Sequence, residues 1–219
     1  GSDPRKAPAA LTTVPYVEQT FGAYHVQGGI RRLADALYTR LLERGVDVRF
    51  NTDVVKVEIK DGRAAGVHLA DGSVLAADIV VSNADARHLY ADLVQDPRGT
   101  SALSKLQKAT PSLSGFVLLV AARGRTPGIR HHNVWFPSNY DDEFDSIFGT
   151  NPRPVPDPTI YACVPDDPMM RPDDDHESWF ILVNAPRHSA SGERGCVDWD
   201  TPGLADQYRE RIFDVLADR

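Results

Sequence analysis

The stretch "AYHVQGGIRRLADALYTRLLERGVDVRFNTDVVKV", Ala23 to Val57, decides how the chain is read. A glycine pair, Gly28–Gly29, opens a segment in which Ile30, Leu33, Ala34, Leu37 and Leu41 recur at intervals of three and four. That spacing is one face of a helix. Arg31, Arg32, Asp35, Arg40 and Glu43 mostly occupy the other side, and Gly45 stands where a helix stops. β-Branched runs follow at 46–50 ("VDVRF") and 54–59 ("VVKVEI"). A glycine turn feeding a helix is the outline of a nucleotide-binding turn, because the first N–H groups of a helix are free to hold an anion. The G-x-G-x-x-G fingerprint that would make it a phosphate cradle is absent from the whole chain. The same glycines equally serve a tight turn.

Outward from this stretch, Pro4, Pro8 and Pro15 punctuate a segment read as one or two short helices ending near Gly22. Downstream, Asp61–Gly62 and Asp71–Gly72 separate alternating runs, which predicts a meander of hairpins. Ile79, Val80 and Val81 form a continuous apolar run that suits a strand buried on both faces, followed by a helix over about 86–94. The second half predicts strands at 112–124, 131–137, 159–165 and 178–186. It also predicts a helix at 140–148 and a closing amphipathic helix carrying Leu204, Tyr208, Ile212, Val215 and Leu216. The fold class is therefore α/β (α+β): a helix, strands and β-meander, then a mixed or antiparallel sheet covered by helices.

The 219 residues are 42% hydrophobic, enough for a sizeable core, and the net charge of −7 argues against a nucleic-acid partner. Cys163 and Cys196 fit no metal or redox spacing and read as reduced thiols of a cytoplasmic chain, with a single disulfide as the lesser alternative. No apolar run approaches the roughly 20 residues of a membrane-spanning helix. Gly1–Ser2 is either native or a cloning scar.

The chemistry-bearing residues are sparse. His131 and His132 form the densest imidazole site, but neighbours on a strand point to opposite faces, so no shared metal is expected. His25, His68, His88, His176 and His188 show no chelating spacing. The acids around 141–145 and 173–175 lack the glycine and glutamate of a calcium loop and read as solvated acidic loops. No Gly-x-Ser-x-Gly elbow is present. Trp135, Phe136, Tyr140, Phe144 and Phe148 are core residues or the wall of an apolar ligand tunnel.

An ordered series of motifs adds to this. "GGIRRLADALYTRLLERGVDVRFNTDVVKVEIKDGRAAGVHLADGSVLAADIVVSNAD", "SLSGFVLLVAARG", "HHNVWFPSNYDDEFDSIF", "DPTIYACVPDDP" and "SWFILVNAP" stand in an order similar to that of the phytoene desaturase (phytoene dehydrogenase) family of FAD-dependent, amine-oxidase-like flavoproteins. "KAPAALTTVPYVEQTFGAYH" resembles the family segment before the glycine pair, and the likeness covers essentially the whole chain. His25-Val26-Gln27 departs from the family's usual tyrosine-proline-x, and Ile30 replaces its methionine.

The resemblance implies an internal piece of a longer enzyme, lacking an N-terminal G-x-G-x-x-G unit and a C-terminal flavin-closing segment. It implies residues 1–22 as a helical segment of the substrate domain, 23–95 as part of the FAD-binding domain and 96–219 as the carotenoid-binding domain. It assigns Gly28, Gly29, Val54, Asn83 and Ala84 to the cofactor and Trp135, Phe136, His131 and His132 to the substrate, and names no catalytic residue. The parent would use FAD to remove hydrogens from an apolar polyene in carotenoid biosynthesis, as a CH–CH oxidoreductase touching the membrane periphery. A related isomerase, oxidase or retinol saturase-like enzyme and a non-catalytic apolar-ligand module remain open. The piece itself is expected to be inactive, not to retain FAD, and to self-associate through exposed apolar surface.

Overall fold

The computed structural model describes residues 3–109 and 111–219. They divide into two units, Gly1–Tyr38 with Ser112–Arg219, and Thr39–Pro111. A 3₁₀ turn at Ala9–Thr12 leads into α1 (Thr13–Phe21), which ends at Gly22 as the proline spacing predicts. Helix α2 (Arg31–Glu43) follows the glycine pair, and the division between the units falls inside it. Its end is tied off by two bonds, Val46 N–H to the Leu41 carbonyl and Gly45 N–H to the Leu42 carbonyl. This is the paired closure that a left-handed glycine allows.

Within Thr39–Pro111, β1 (Val54–Lys60), β2 (Arg63–Leu69) and β3 (Val74–Ala76) form an antiparallel meander in the order β1-β2-β3. Lys60 pairs with Arg63 across a two-residue turn, Asp61–Gly62, in which both φ angles are positive. Such a turn has the twist that antiparallel strands need. A short helix α3 (Ala86–His88) widens into a π turn over Leu89–Leu93, with Asp85 accepting from Arg87 and His88 N–H at its start. Helix α4 (Thr100–Lys108), absent from the sequence reading, completes this unit.

Two expected strands are not there. Residues 46–50 and 79–81 join no ladder among the described residues, and Ile79 and Val81 are largely exposed. A strand exists only through its partners, and none of the described residues pairs with these runs in a ladder. Apolar composition alone therefore overstates them.

The other unit is built on a four-stranded antiparallel sheet. Its strands are β4 (Ser114–Arg123), β5 (His132–Trp135), β6 (Ile160–Cys163) and β7 (His176–Ala185), in the order β4-β7-β6-β5. Helix α5 (Tyr140–Phe148) lies between β5 and β6 in the chain, where the sequence predicts it. A small parallel pair, β8 (Arg187–His188) and β9 (Cys196–Val197), precedes the closing helix α6 (Leu204–Ala217). The mixed α/β class with an antiparallel sheet under a helix is as the sequence indicates.

Cross-strand register sorts this sheet into two faces. Phe116, Val183, Ile160 and Trp135 align in one row, and Leu118, Ile181 and Ala162 in the next. These rows pack with Tyr208, Ile212 and Val215 of α6 into the core of the unit. Burying each such aliphatic side chain contributes about 1.5–3 kcal/mol. The alternate residues turn the other way: Val117, Leu182, Tyr161 and Val134 in one row, Leu119, Phe180, Cys163 and His132 in the next. Leu119 is 80% exposed and Val134 49%, so no helix among the described residues covers this face along its length. At its far end α5 is anchored by Glu143, which is fully buried and accepts from Asn184 Nδ2 and Thr159 N–H, each at 2.7 Å.

Candidate functional site

The glycine pair is not a phosphate cradle. Gly28 and Gly29 take φ of +78° and +86°, and Gly29 N–H closes a turn onto the Val26 carbonyl at 2.8 Å. Both angles lie in the left-handed region, which a side chain resists. Gly28 N–H is already engaged: it donates to Asp167 Oδ2 at 2.6 Å. The carboxylate of Asp167 also receives Met169 N–H at 2.8 Å and His25 Nε2 at 2.9 Å. His25 first, and then the two N–H groups, hold the Asp167 carboxyl down at about 2. The turn is thus clamped by a buried anion that belongs to the protein.

Asp166, next in the chain, reaches the histidine pair. Its Oδ1 lies 2.7 Å from His131 Nδ1, and that contact holds its carboxyl below the usual range. The rings of His25 and His131 meet edge to face at 4.8 Å between centroids, and those of His131 and His132 at 4.6 Å. His132 Nδ1 lies 2.9 Å from the Tyr161 hydroxyl, and the two rings stack. Burial pushes up both the Tyr161 phenol and the Cys163 thiol. His131, His132 and Cys163 each bring a ligand-type atom within 4.8 Å of the others. The expectation that the two histidines diverge fails for a local reason. Only His132 lies in β5, while His131 precedes it, so strand alternation does not govern the pair.

Residues assigned separately to cofactor and substrate therefore converge: Gly28–Gly29 and His131–His132 share the Asp166–Asp167 junction. The sequence reading missed Asp166, Asp167, Tyr161 and Cys163 as site residues. The visible signal was an Asp-Asp step directly after a strand, which looks like any solvated loop.

The remaining assigned residues lie elsewhere. Trp135 packs against the helix-covered core and lines a cavity of about 420 Å³ with Trp179, Ile181, Phe213 and Leu216. Phe136, one step on, is exposed and meets Tyr140 edge to face. Val54 opens β1, opposite Leu69, on the outer edge of the meander. Asn83 and Ala84 sit in an exposed loop, where Ala84 N–H donates to Ser82 Oγ.

A second cavity of about 420 Å³ opens on the uncovered face of the four-stranded sheet, lined by Leu119, Ala121, Cys163, Pro165, Met170 and Phe180. It is mostly apolar, and the histidine cluster stands beside it through Cys163. An apolar wall with a few polar groups at one end is the usual form of a small-molecule site.

Residues 7–176 match the family model described as flavin containing amine oxidoreductase. The chain is 35% identical over 218 residues to a 4,4'-diapolycopene oxygenase of Methylomonas sp, covering 94% of this chain and 43% of that protein. It is 37% identical over 201 residues to a hydroxyneurosporene desaturase of Rubrivivax gelatinosus, covering 89% and 36%. It is 30% identical over 226 residues to a neurosporene-forming phytoene desaturase of Rhodobacter capsulatus, covering 100% and 42%. The chain thus spans roughly two-fifths of the length of these relatives.

Proposed function

The chain belongs to the flavin containing amine oxidoreductase family, and from that premise we propose that it is part of an FAD-dependent carotenoid desaturase. The reaction is removal of hydrogens from adjacent carbons of an apolar polyene. The observation that carries this reading is the uncovered face of the four-stranded sheet, whose Leu119, Phe180 and Met170 offer a polyene an apolar wall.

Residues 23–95 then serve the cofactor half, and residues 1–22 and 96–219 the substrate half. The chain fits FAD in part. In the order β1-β2-β3, no strand among the described residues pairs with the outer edge of β1, and the backbone near Val54 has N–H and C=O groups for an adenine edge. Gly28 N–H does not fit a phosphate, because Asp167 holds it. Asn83 and Ala84 remain cofactor candidates by their exposed position.

When bound, a flavin supplies the acceptor for hydride transfer. The chain's own work is to hold the polyene against the sheet and keep water from it. An unactivated hydrocarbon requires no strongly ionisable group at the reacting carbons, and no side chain here is assigned as base. No helix among the described residues is long and apolar enough to cross a membrane. We propose that the enzyme takes its substrate at the membrane periphery. The exposed Leu33, Leu37 and Leu41 of α2, with Ile30 just before it, support contact with further protein, including a second copy.

One relative favours a second reading. The match to a diapolycopene oxygenase, over 94% of the chain, supports oxygenation of the polyene. Product mass separates the two. Full-length enzyme with FAD and a polyene substrate gives loss of two hydrogens per step if it desaturates and gain of oxygen if it oxygenates. Unchanged mass with altered absorbance identifies an isomerase, and no flavin with no product leaves only a ligand-binding module. Within that assay Leu119→Asp and Phe180→Asp raise KM for the polyene; unchanged kinetics would remove the sheet face from the substrate path.

A further inference from the structure

We propose that His131, His132 and Cys163 bind one divalent d-block cation of the zinc class. Nothing in this depends on flavin or polyene. The three side chains come from two adjacent strand ends. His132 and Cys163 are directly paired across β5 and β6, and Val164 N–H on the His131 carbonyl at 2.9 Å draws the residue before β5 to the same end. One ligand-type atom from each lies within 4.8 Å of the others. Tetrahedral zinc, with bonds of about 2.0–2.3 Å, wants such atoms roughly 3.3–3.7 Å apart. Closure of about 1 Å is within the reach of small side-chain rotations.

The surroundings have the features of a ligand set. Metal-binding imidazoles ordinarily commit one ring nitrogen to a carboxylate or other oxygen, which fixes the ring and leaves the second nitrogen for the ion. His131 Nδ1 is committed to Asp166 and His132 Nδ1 to Tyr161. His25 is different: its Nε2 is tied to Asp167, so it braces His131 by ring contact and is not placed among the ligands. The sulfur is half-buried, in a soft and mostly apolar pocket. Two nitrogens and one sulfur suit zinc, cobalt or cadmium over magnesium or calcium, which demand oxygen. As the metal–sulfur bond forms, the thiol proton leaves to solvent and no redox change occurs. Three protein ligands leave the fourth position to water, the open arrangement of a reactive or regulatory site. The other convergence, His188 with Asp198 and Asp200, is wholly exposed and offers no sulfur.

Cobalt(II) is the probe, titrated into the chelator-stripped full chain. The expected result is one equivalent bound, with the visible bands of four-coordinate cobalt and a near-ultraviolet thiolate-to-cobalt band. Cys163→Ser removes the thiolate band, and Cys196→Ser leaves it intact. His131→Gln and His132→Gln each weaken binding at least tenfold, and Asp166→Asn weakens it about 10- to 100-fold through His131. Circular dichroism of each variant separates loss of the ligand from loss of the fold; should Cys163→Ser unfold, Cys163→Ala carries the same readout. Substoichiometric binding, a thiolate band that survives loss of Cys163 or depends on Cys196, or affinity unmoved by both histidine variants would overturn the site.

Discussion

The two faces of the four-stranded sheet are made from the same strands and share almost no chemistry. On the covered face, Ile160, Ala162, Ile181 and Val183 are at most 2% exposed and close against α6. On the other face, Leu119 and Val134 stand open among Val117, Leu182 and Phe180, with Tyr161, His132 and Ser178 as polar neighbours. Glu143 anchors α5 at one end; the carboxylate and imidazole junction of Asp166, Asp167 and His131 lies at the other. Packing holds the first face, whereas the second is mostly apolar yet left open. A sheet under no functional demand would bury both faces or make one polar. The difference ties stability to one side, and it is the ground for proposing recognition on the other.

The largest test of that division is Ile212→Ala, which empties a fully buried position of α6. We expect a loss of about 3–4 kcal/mol by urea unfolding. Leu119→Ala on the open face should stay within about 0.5 kcal/mol of the parent. Similar losses for both would mean that the second face is also core. Glu143→Ala comes next, at about 3 kcal/mol, because Thr159 N–H and the Asn184 amide lose their acceptor in a dry site. Glu143→Gln keeps an acceptor oxygen and should recover a good part of it.

What the sequence made legible follows the same line. The apolar runs of β4 and β7 could be read directly as strands, and the spacing of α6 as a helix, because burial on one side of a helix writes itself as periodicity. The hairpin turn at Asp61–Gly62 was equally plain, since its residue types are dictated by backbone angles. The apolar runs at 46–50 and 79–81 misled, because apolar character does not supply a strand partner. Helix α4 was hard to see because its nine residues hold only Ala102, Leu103 and Leu106 as apolar positions, too few to set a clear period. At the site, Gly28–Gly29 and His131–His132 were seen as separate marks. Their meeting depends on Asp166 and Asp167, more than a hundred residues from the glycines in sequence, and on a tertiary contact that no local pattern encodes.

A smaller effect probes how firmly the polar end is built. Gly28→Ala places a side chain at φ +78°, 3.0 Å from Arg32 Nε. The arginine end can move, so backbone conformation dominates, and the expected cost is about 1–2 kcal/mol. A neutral outcome would show that the turn is free to relax and that Asp167 does not hold it.

The smallest effect is a matter of pH. Asp167 has its carboxyl depressed to about 2 by His25 and by Gly28 and Met169 N–H, against about 3.9 in an unfolded chain. A group depressed on folding contributes stability that is fully present above the unfolded value and is lost as pH falls through the folded one. The Asp167 contribution should therefore be constant above about pH 5 and fade between roughly pH 4 and 2. In Asp167→Asn one amide oxygen still accepts an N–H but cannot titrate. The urea midpoint of this variant should start lower at pH 6 and fall less steeply over the acid window than that of the parent. Leu119→Ala, a change on the apolar stretch between the two anchors, should leave the parent's slope untouched. Parallel acid limbs for the parent and Asp167→Asn would show that the glycine turn is held without the carboxylate.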